Sequence, residues 1–176
     1  MTIPTLETPN LLLRPWQPAD AEDLYAIVQE PGIFQYFPRP AAPPRPWVDK
    51  YIQHHLDHWQ ARGMGHWAVV TRQEQRLVGW TGLEYLPELD QVEVAYLLST
   101  SVHGRGYATQ AARAACAYGF ETCRLPLIIG LVHPQNAASI RVLEKCDLAY
   151  TDRLTLWGLD LLRYTARQQA AQGQAG

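Results

Sequence analysis

A chain of 176 residues with 47% hydrophobic and 18% charged side chains has the composition of a folded domain with a sizeable core, which excludes a disordered segment. Its 15 Lys and Arg against 17 Asp and Glu leave a net charge of −2 without a basic cluster, so no nucleic-acid partner is expected. No apolar run approaches the roughly 20 residues that cross a bilayer, and no charged-then-apolar leader opens the sequence, so neither membrane nor secretion is expected. Cys116, Cys123 and Cys146 lack C-x-x-C spacing and read as small buried hydrophobes in a reducing, cytoplasmic setting.

In chain order, Leu11, Leu12 and Leu13 form a strand that Pro15 closes. Asp20 is placed as N-cap or first-turn acid of a helix to Val28, with Leu24, Tyr25 and Val28 on one face and Pro31 and Gly32 as the stop. From Phe34 to Trp47 the crowded Pro38, Pro40, Pro43, Pro44 and Pro46 fix φ and remove donors, which predicts a stiff irregular loop. Its Phe34, Tyr36, Phe37 and Trp47 either wall a pocket or pack the loop down. Val48 to Gln60 reads as an amphipathic helix with Tyr51, Ile52, His55 and Trp59 inward. His54 and His58 stand one turn apart, a spacing zinc can use, but without H-E-x-x-H or further ligands the pair reads as a solvated face and no metal is expected. Strands follow at His66 to Thr71, Arg76 to Leu86 and Gln91 to Ser99. Their links, Arg72 to Gln75 and Pro87 to Asp90, are too short for a parallel crossover, so these strands run antiparallel.

The stretch Glu93 to Phe120 reads as strand, glycine turn and helix. Gly104 and Gly106 punctuate it, and an alanine-rich helix starts at Tyr107. The first amides of a helix lack internal partners and carry the positive end of its dipole, so such a turn attracts phosphate without any lysine. The same glycine spacing also serves a plain tight connection. Ala108, Ala111, Ala112, Ala114 and Ala115 give the helix a wall almost free of side chains, suited to close approach.

Leu127 to Val132 is a continuous apolar run, a buried strand, and the intervening helix is long enough to make it parallel to the strand ending near Leu98. Asn136 sits where an N-cap belongs, with Ser139 in the first turn of a helix through Cys146. Ala149 to Arg153 and Leu154 to Ala166 supply one or two closing strands. The expected fold is α+β: a mixed, mostly antiparallel sheet with a parallel central pair and about four helices, in one domain over residues 1–166 with a polar tail at 167–176. The antiparallel run from His66 to Ser99 argues against a regularly alternating nucleotide-binding fold.

The run H-G-R-G-Y-A-T-Q-A-A, followed some thirty residues on by V-H-P-Q-N-A-A-S-I-R-V-L-E-K, resembles the acetyl-coenzyme A signature of the GNAT N-acetyltransferase superfamily. More narrowly it is similar to the branch of Rim-type ribosomal-protein alanine N-acetyltransferases, whose start the opening L-E-T-P-N-L-L-L-R-P-W-Q-P-A-D-A-E-D-L-Y also resembles. The resemblance implies a GNAT-like fold and transfer of acetyl from acetyl-CoA to a primary amine, on a small molecule or a protein N-terminus, by a monomer or homodimer. It implies that the amides of His103, Gly104, Arg105, Gly106, Tyr107 and Ala108 hold the coenzyme pyrophosphate, and that the backbone of Tyr96, Leu97 and Leu98 holds the pantetheine arm. Asn136 would bond that arm too, Ser139 would protonate the departing thiolate, and Glu93 would act as general base, usually through water.

The chemistry suits those residue types. Amine acetylation needs a neutral nucleophile, so a carboxylate that takes its proton speeds transfer by about 10² to 10⁴. A thiolate of pKa roughly 8.5 leaves with modest help. The cysteines have no paired base, which favours direct attack in a ternary complex over a covalent enzyme intermediate. Read as residues alone, Asn136 also fits a plain cap, Ser139 a first-turn hydroxyl and Glu93 an ion pair with Arg141, while Glu84 on the preceding strand is a rival base. A non-catalytic acyl-CoA sensor is the alternative class; it would bind coenzyme without releasing thiol. His103 stands where the family has Arg or Gln. Asp147 and Leu148 replace the usual Gly-Phe, so the helix end there is expected to differ.

Overall fold

The computed structural model describes residues 2–168. Strands β1 (Leu6–Glu7) and β2 (Leu11–Arg14) precede helices α1 (Asp20–Val28) and α2 (Arg45–Arg62). Strands β3 (His66–Thr71), β4 (Leu77–Leu86) and β5 (Gln91–Leu98) follow, then a 3-10 turn at Thr100–Val102 and helix α3 (Tyr107–Glu121). Strand β6 (Leu127–Val132), helix α4 (Ala137–Lys145) and the hairpin β7 (Ala149–Leu156) and β8 (Leu159–Arg167) complete it. The sheet order is β1-β2-β3-β4-β5-β6-β8-β7, antiparallel throughout except for β5 beside β6, the pair that α3 connects. This is the mixed, mostly antiparallel sheet with one parallel pair that the sequence leads one to expect.

Several boundaries correct the sequence reading. α2 starts at Arg45, not Val48, because Pro46 falls in the first helical turn, where its missing N–H has no partner to lose. Of the two places expected for Asp20, the first-turn acid is the one observed, after an Ala19 N-cap. Its carboxylate is buried, takes both Arg14 guanidinium nitrogens at 2.7 Å and accepts from Gln17 N. The closing segment is two strands, and they divide at Trp157 and Gly158, both at positive φ, not at Arg153. Arg167 belongs to β8 and not to the expected tail, which from residue 169 lies outside the described residues. Asp147 adopts φ 63° and closes α4 as glycine would: Leu148 N donates to Leu143 O and Asp147 N to Glu144 O, while Leu148 is buried. The helix end expected to differ therefore keeps the glycine-type geometry.

The period of two along β5 sends its side chains to two cores. Val94, Tyr96 and Leu98 meet α3, whose Ala111, Ala112 and Ala115 have no exposure; Ala95 and Leu97 pack with α1 and α2. α3 lies close because its inner face is nearly bare. A Cβ on Gly119 would come within 2.8 Å of Ile128 and Leu83.

The parallel ladder of β5 and β6 holds one registered pair, Glu93 with Ile129. β6 stays zipped to β8 from Leu127 to Val132, so beyond Glu93 the two parallel strands part and leave a wedge between them. The wedge opens toward the turn that starts α3.

Candidate active site

The turn between β5 and α3 is anchored from a distance. The Glu30 carboxylate accepts from Ser99 Oγ at 2.6 Å and from Thr100 N and Oγ1 at 2.7 Å. His103 N donates to Thr100 O, and His103 Nε2 donates to Leu98 O at 3.0 Å, so this residue braces the turn and its amide is not open. Gly104 and Gly106 then take φ 78° and 74°. A Cβ on either would meet nothing within 4 Å, so glycine is required here for its dihedral and not for space. Among the described residues, the amides of Gly104, Arg105, Gly106, Tyr107 and Ala108 have no intramolecular partner. They cluster at the dipole-positive end of a helix of 15 residues.

One wall of the wedge is β5 backbone. Ser99 N bonds Val78 O, which fixes the alternation of the ladder with β4: residues 97, 95 and 93 turn their polar groups to β4, and 98, 96 and 94 turn theirs toward the wedge. Leu97 therefore leaves the set expected to hold a pantetheine arm, its amide and carbonyl being used opposite Trp80. Tyr96 and Leu98 remain, with the Leu98 carbonyl taken by His103.

The other wall is the start of α4. Asn136 Oδ1 accepts from Ser139 N at 3.1 Å, the plain cap, which leaves its Nδ2 for another partner. The Ser139 hydroxyl lies 2.7 Å from Tyr96 Oη, and Tyr96 O–H also reaches Ser139 O at 3.1 Å. Composition gave the Tyr96 side chain no role; only the parting of β5 from β6 lets it cross to α4.

Glu93 sits at the apex of the wedge, on the α1 and α2 side of the sheet. Its Oε1 accepts from Leu131 N at 3.2 Å, and no ion pair joins it to Arg141 among the described residues. Burial, reinforced by the Glu84 charge across the strands, outweighs that hydrogen bond and lifts its pKa to about 8. Glu84 is its registered neighbour on β4, and its Oε1 accepts from His54 Nε2 at 3.0 Å. Beneath them His66 stacks between His55 at 3.7 Å and Trp80 at 4.6 Å, and Tyr51 bonds His66 Nδ1 at 2.7 Å. Burial lowers the pKa of both imidazoles, so they are neutral. Among the described residues, His55 Nδ1, His66 Nε2 and the indole nitrogens of Trp16 and Trp80 are buried without hydrogen-bond partners.

His58 is no solvated residue: it bonds Met64 O at 2.7 Å and accepts from Tyr85 N, tying α2 to the sheet. By distance alone His54, His55 and Glu84 form a ligand set, within 4.8 Å of one another. The His54 to Glu84 contact is already a hydrogen bond, and consecutive helix residues point about 100° apart, so the set is poorly shaped for a tetrahedral ion. Of the two roles expected of the aromatic loop, packing is the one seen. Phe34 is buried against Phe37 and Trp47, whereas Tyr36 stacks on His133 at 5.2 Å, joining the loop to the end of β6. Cys116 and Cys146 have thiols pushed up by burial to about 12 and about 11, and neither lies beside a base.

A family model described as the acetyltransferase (GNAT) domain matches residues 10–149. The chain belongs to the GNAT acetyltransferases. An acetyltransferase of Agrobacterium tumefaciens shares 30% identity and superposes with a TM-score of 0.82, with 96% of each chain covered. The N-acetyltransferase YnaD of Bacillus subtilis is 24% identical over 144 residues, 81% of either chain. RimL, a ribosomal α-N-protein acetyltransferase in complex with coenzyme A, has a TM-score of 0.80 at 18% identity, over 97% of this chain and 100% of that one. The Rim-type branch is thus a structural neighbour by fold. This acetyltransferase is an acyltransferase by family, and no helix among its described residues is long and apolar enough to cross a membrane.

Proposed function

We propose that this acetyltransferase moves an acetyl group from acetyl-CoA to a primary amine by direct attack within a ternary complex. The observation that carries the reading is the row of unpartnered amides from Gly104 to Ala108 at the N-terminus of α3, next to the wedge between β5 and β6. Those amides suit a diphosphate, and the wedge, walled by the backbone of Tyr96 and Leu98 and by Asn136, suits an extended pantetheine arm. RimL, which shares the fold, binds coenzyme A.

The thioester would then lie near the apex, between Glu93 on one side and Ser139 on the other. Glu93 takes the proton of the incoming ammonium, for which a pKa of about 8 is well matched near neutral pH. The amine nitrogen attacks the carbonyl carbon, the C–S bond breaks, its electron pair leaves on sulfur, the second nitrogen proton passes to bulk water, and Ser139 supports the departing thiolate. Glu93 is preferred to Glu84 because the Glu84 carboxylate is engaged by His54. Cys116 and Cys146, buried and protonated, supply no nucleophile for a covalent route.

The acceptor enters from the α1 and α2 side, beside Glu84 and the loop that carries Tyr36. Calorimetry with coenzyme A and a thiol-release screen with acetyl-CoA against panels of amines, amino acids and peptides test the reading. Saturable binding together with amine-dependent thiol release is expected. No binding would overturn the reading, and binding without release for any amine would favour the sensor class.

A further inference from the structure

Tyr96 Oη has two partners, both on Ser139: the hydroxyl at 2.7 Å and the carbonyl at 3.1 Å. It reaches them from a different element, across the wedge from β5 to the first turn of α4, 43 residues along the chain. A phenol carries one proton and a serine hydroxyl carries one, so a 2.7 Å contact leaves a single choice of which group donates. When Tyr96 donates, the Ser139 proton is free to point elsewhere. The Ser139 carbonyl can only accept, so the 3.1 Å contact directs the Tyr96 proton toward Ser139, where the hydroxyl oxygen at 2.7 Å is the nearer acceptor.

We propose that Tyr96 is a positioning residue that donates to Ser139 Oγ and thereby aims the Ser139 hydroxyl at the sulfur of the leaving coenzyme. This rests on the reading above, in which the coenzyme arm fills the wedge. In the step itself the C–S bond breaks and the electron pair stays on sulfur. Ser139 O–H donates a hydrogen bond to that thiolate, and Tyr96 O–H donates to the serine oxygen behind it. Neither hydroxyl loses its proton; of the two protons that leave the amine nitrogen, Glu93 takes the first before attack and the second passes to bulk water as the adduct collapses. Two donors in series polarise one another in the same direction, so the serine proton facing sulfur becomes a better donor than serine alone provides.

The effect is readable on coenzyme A itself, without an acceptor. The thiol of coenzyme A bound to the saturated protein is titrated by the ultraviolet absorbance of its thiolate, for the parent, Tyr96→Phe, Ser139→Ala and the double variant. The parent is expected to raise the thiolate fraction of the bound ligand about tenfold over free coenzyme A at a given pH. Each single variant should remove most of that preference, and the double variant should remove no more than either single one. Affinity for the protonated thiol at low pH should stay within about twofold in Tyr96→Phe, which separates aiming from a loosened fold. A parent-like thiolate preference in Tyr96→Phe overturns the inference, as does an equal loss of affinity at every pH. Failure of the parent to bind coenzyme A would instead overturn the functional reading, and the inference with it.

Discussion

At Glu93 burial, a neighbouring charge and a lone hydrogen bond compete. Among the described residues its carboxylate accepts only from Leu131 N, because the ladder between β5 and β6 ends at Glu93, and burial beside Glu84 places its pKa at about 8. The expected pH profile of amine acetylation rises through about pH 8 and then levels, as the base loses its proton. Glu93→Gln should lower turnover by about 10² to 10⁴ and abolish that rise, measured by thiol release across pH. The same shift has a stability sign. The folded protein holds the Glu93 proton more tightly than the unfolded chain, so this group's contribution is full below the ordinary value of 4.5 and is lost as pH rises to about 8. Thermal melts should therefore show Glu93→Gln gaining on the parent above about pH 8 and losing that advantage below about pH 4.5. Asp147 holds φ 63° as an L-residue. Asp147→Gly should stabilise by about 1 kcal/mol, raising the melting temperature by about 2–4 °C, since the backbone hydrogen bonds of the cap are already made.

The turn into α3 and its first helical turn act as one element. Glu30 and His103 fix its approach, and Gly104 and Gly106 give the backbone the left-handed residues that turn successive amides the same way. Gly106→Ala should cost about 1–2 kcal/mol locally, through a conformation that a Cβ disfavours. Relieving the strain would tilt the amides, so calorimetry should find coenzyme A binding weakened by at least about tenfold while the far-ultraviolet spectrum stays that of the parent. The glycine spacing and the Asn136 cap were legible because they are local: turn chemistry and capping act within a few residues. Glu30 left no such mark. It reaches Thr100 across 70 residues, and nothing near it in sequence signals that contact. Of the histidine pair, His54 lies on the expected solvated face, whereas His58 is half-buried, since helical spacing shows that the two share a face but not that Met64 and Tyr85 meet His58 there.

For the whole molecule, the decisive feature is the fork in the sheet. Six strand pairs are zipped antiparallel, while β5 and β6 share a single registered pair, so two halves of one sheet stand open like a hinge with α3 and α4 over the gap. Hydrogen exchange should expose this. In the free protein the amides of Tyr96, Leu98 and residues 104–108 should exchange much faster than those of Ala95 and Leu97, which bond to β4, and coenzyme A should slow the first group selectively. Equal protection before and after coenzyme addition would contradict the proposed seat of the ligand.

The sequence by itself determined the element order from β2 to α4, the antiparallel run of β3, β4 and β5, the α3 crossover, the glycine turn and the capped start of α4, but not the short β1 or the division of the closing segment. Periodicity, caps and turns are written in neighbouring residues, and link length alone forbids or permits a parallel connection. Only the tertiary structure decided that β5 and β6 separate after Glu93, that Tyr96 meets Ser139, that Leu97 faces away and that Glu93 sits where its charge is costly. Those outcomes depend on register and on the joint packing of two cores against one sheet, and register is a relation between segments that no single segment encodes.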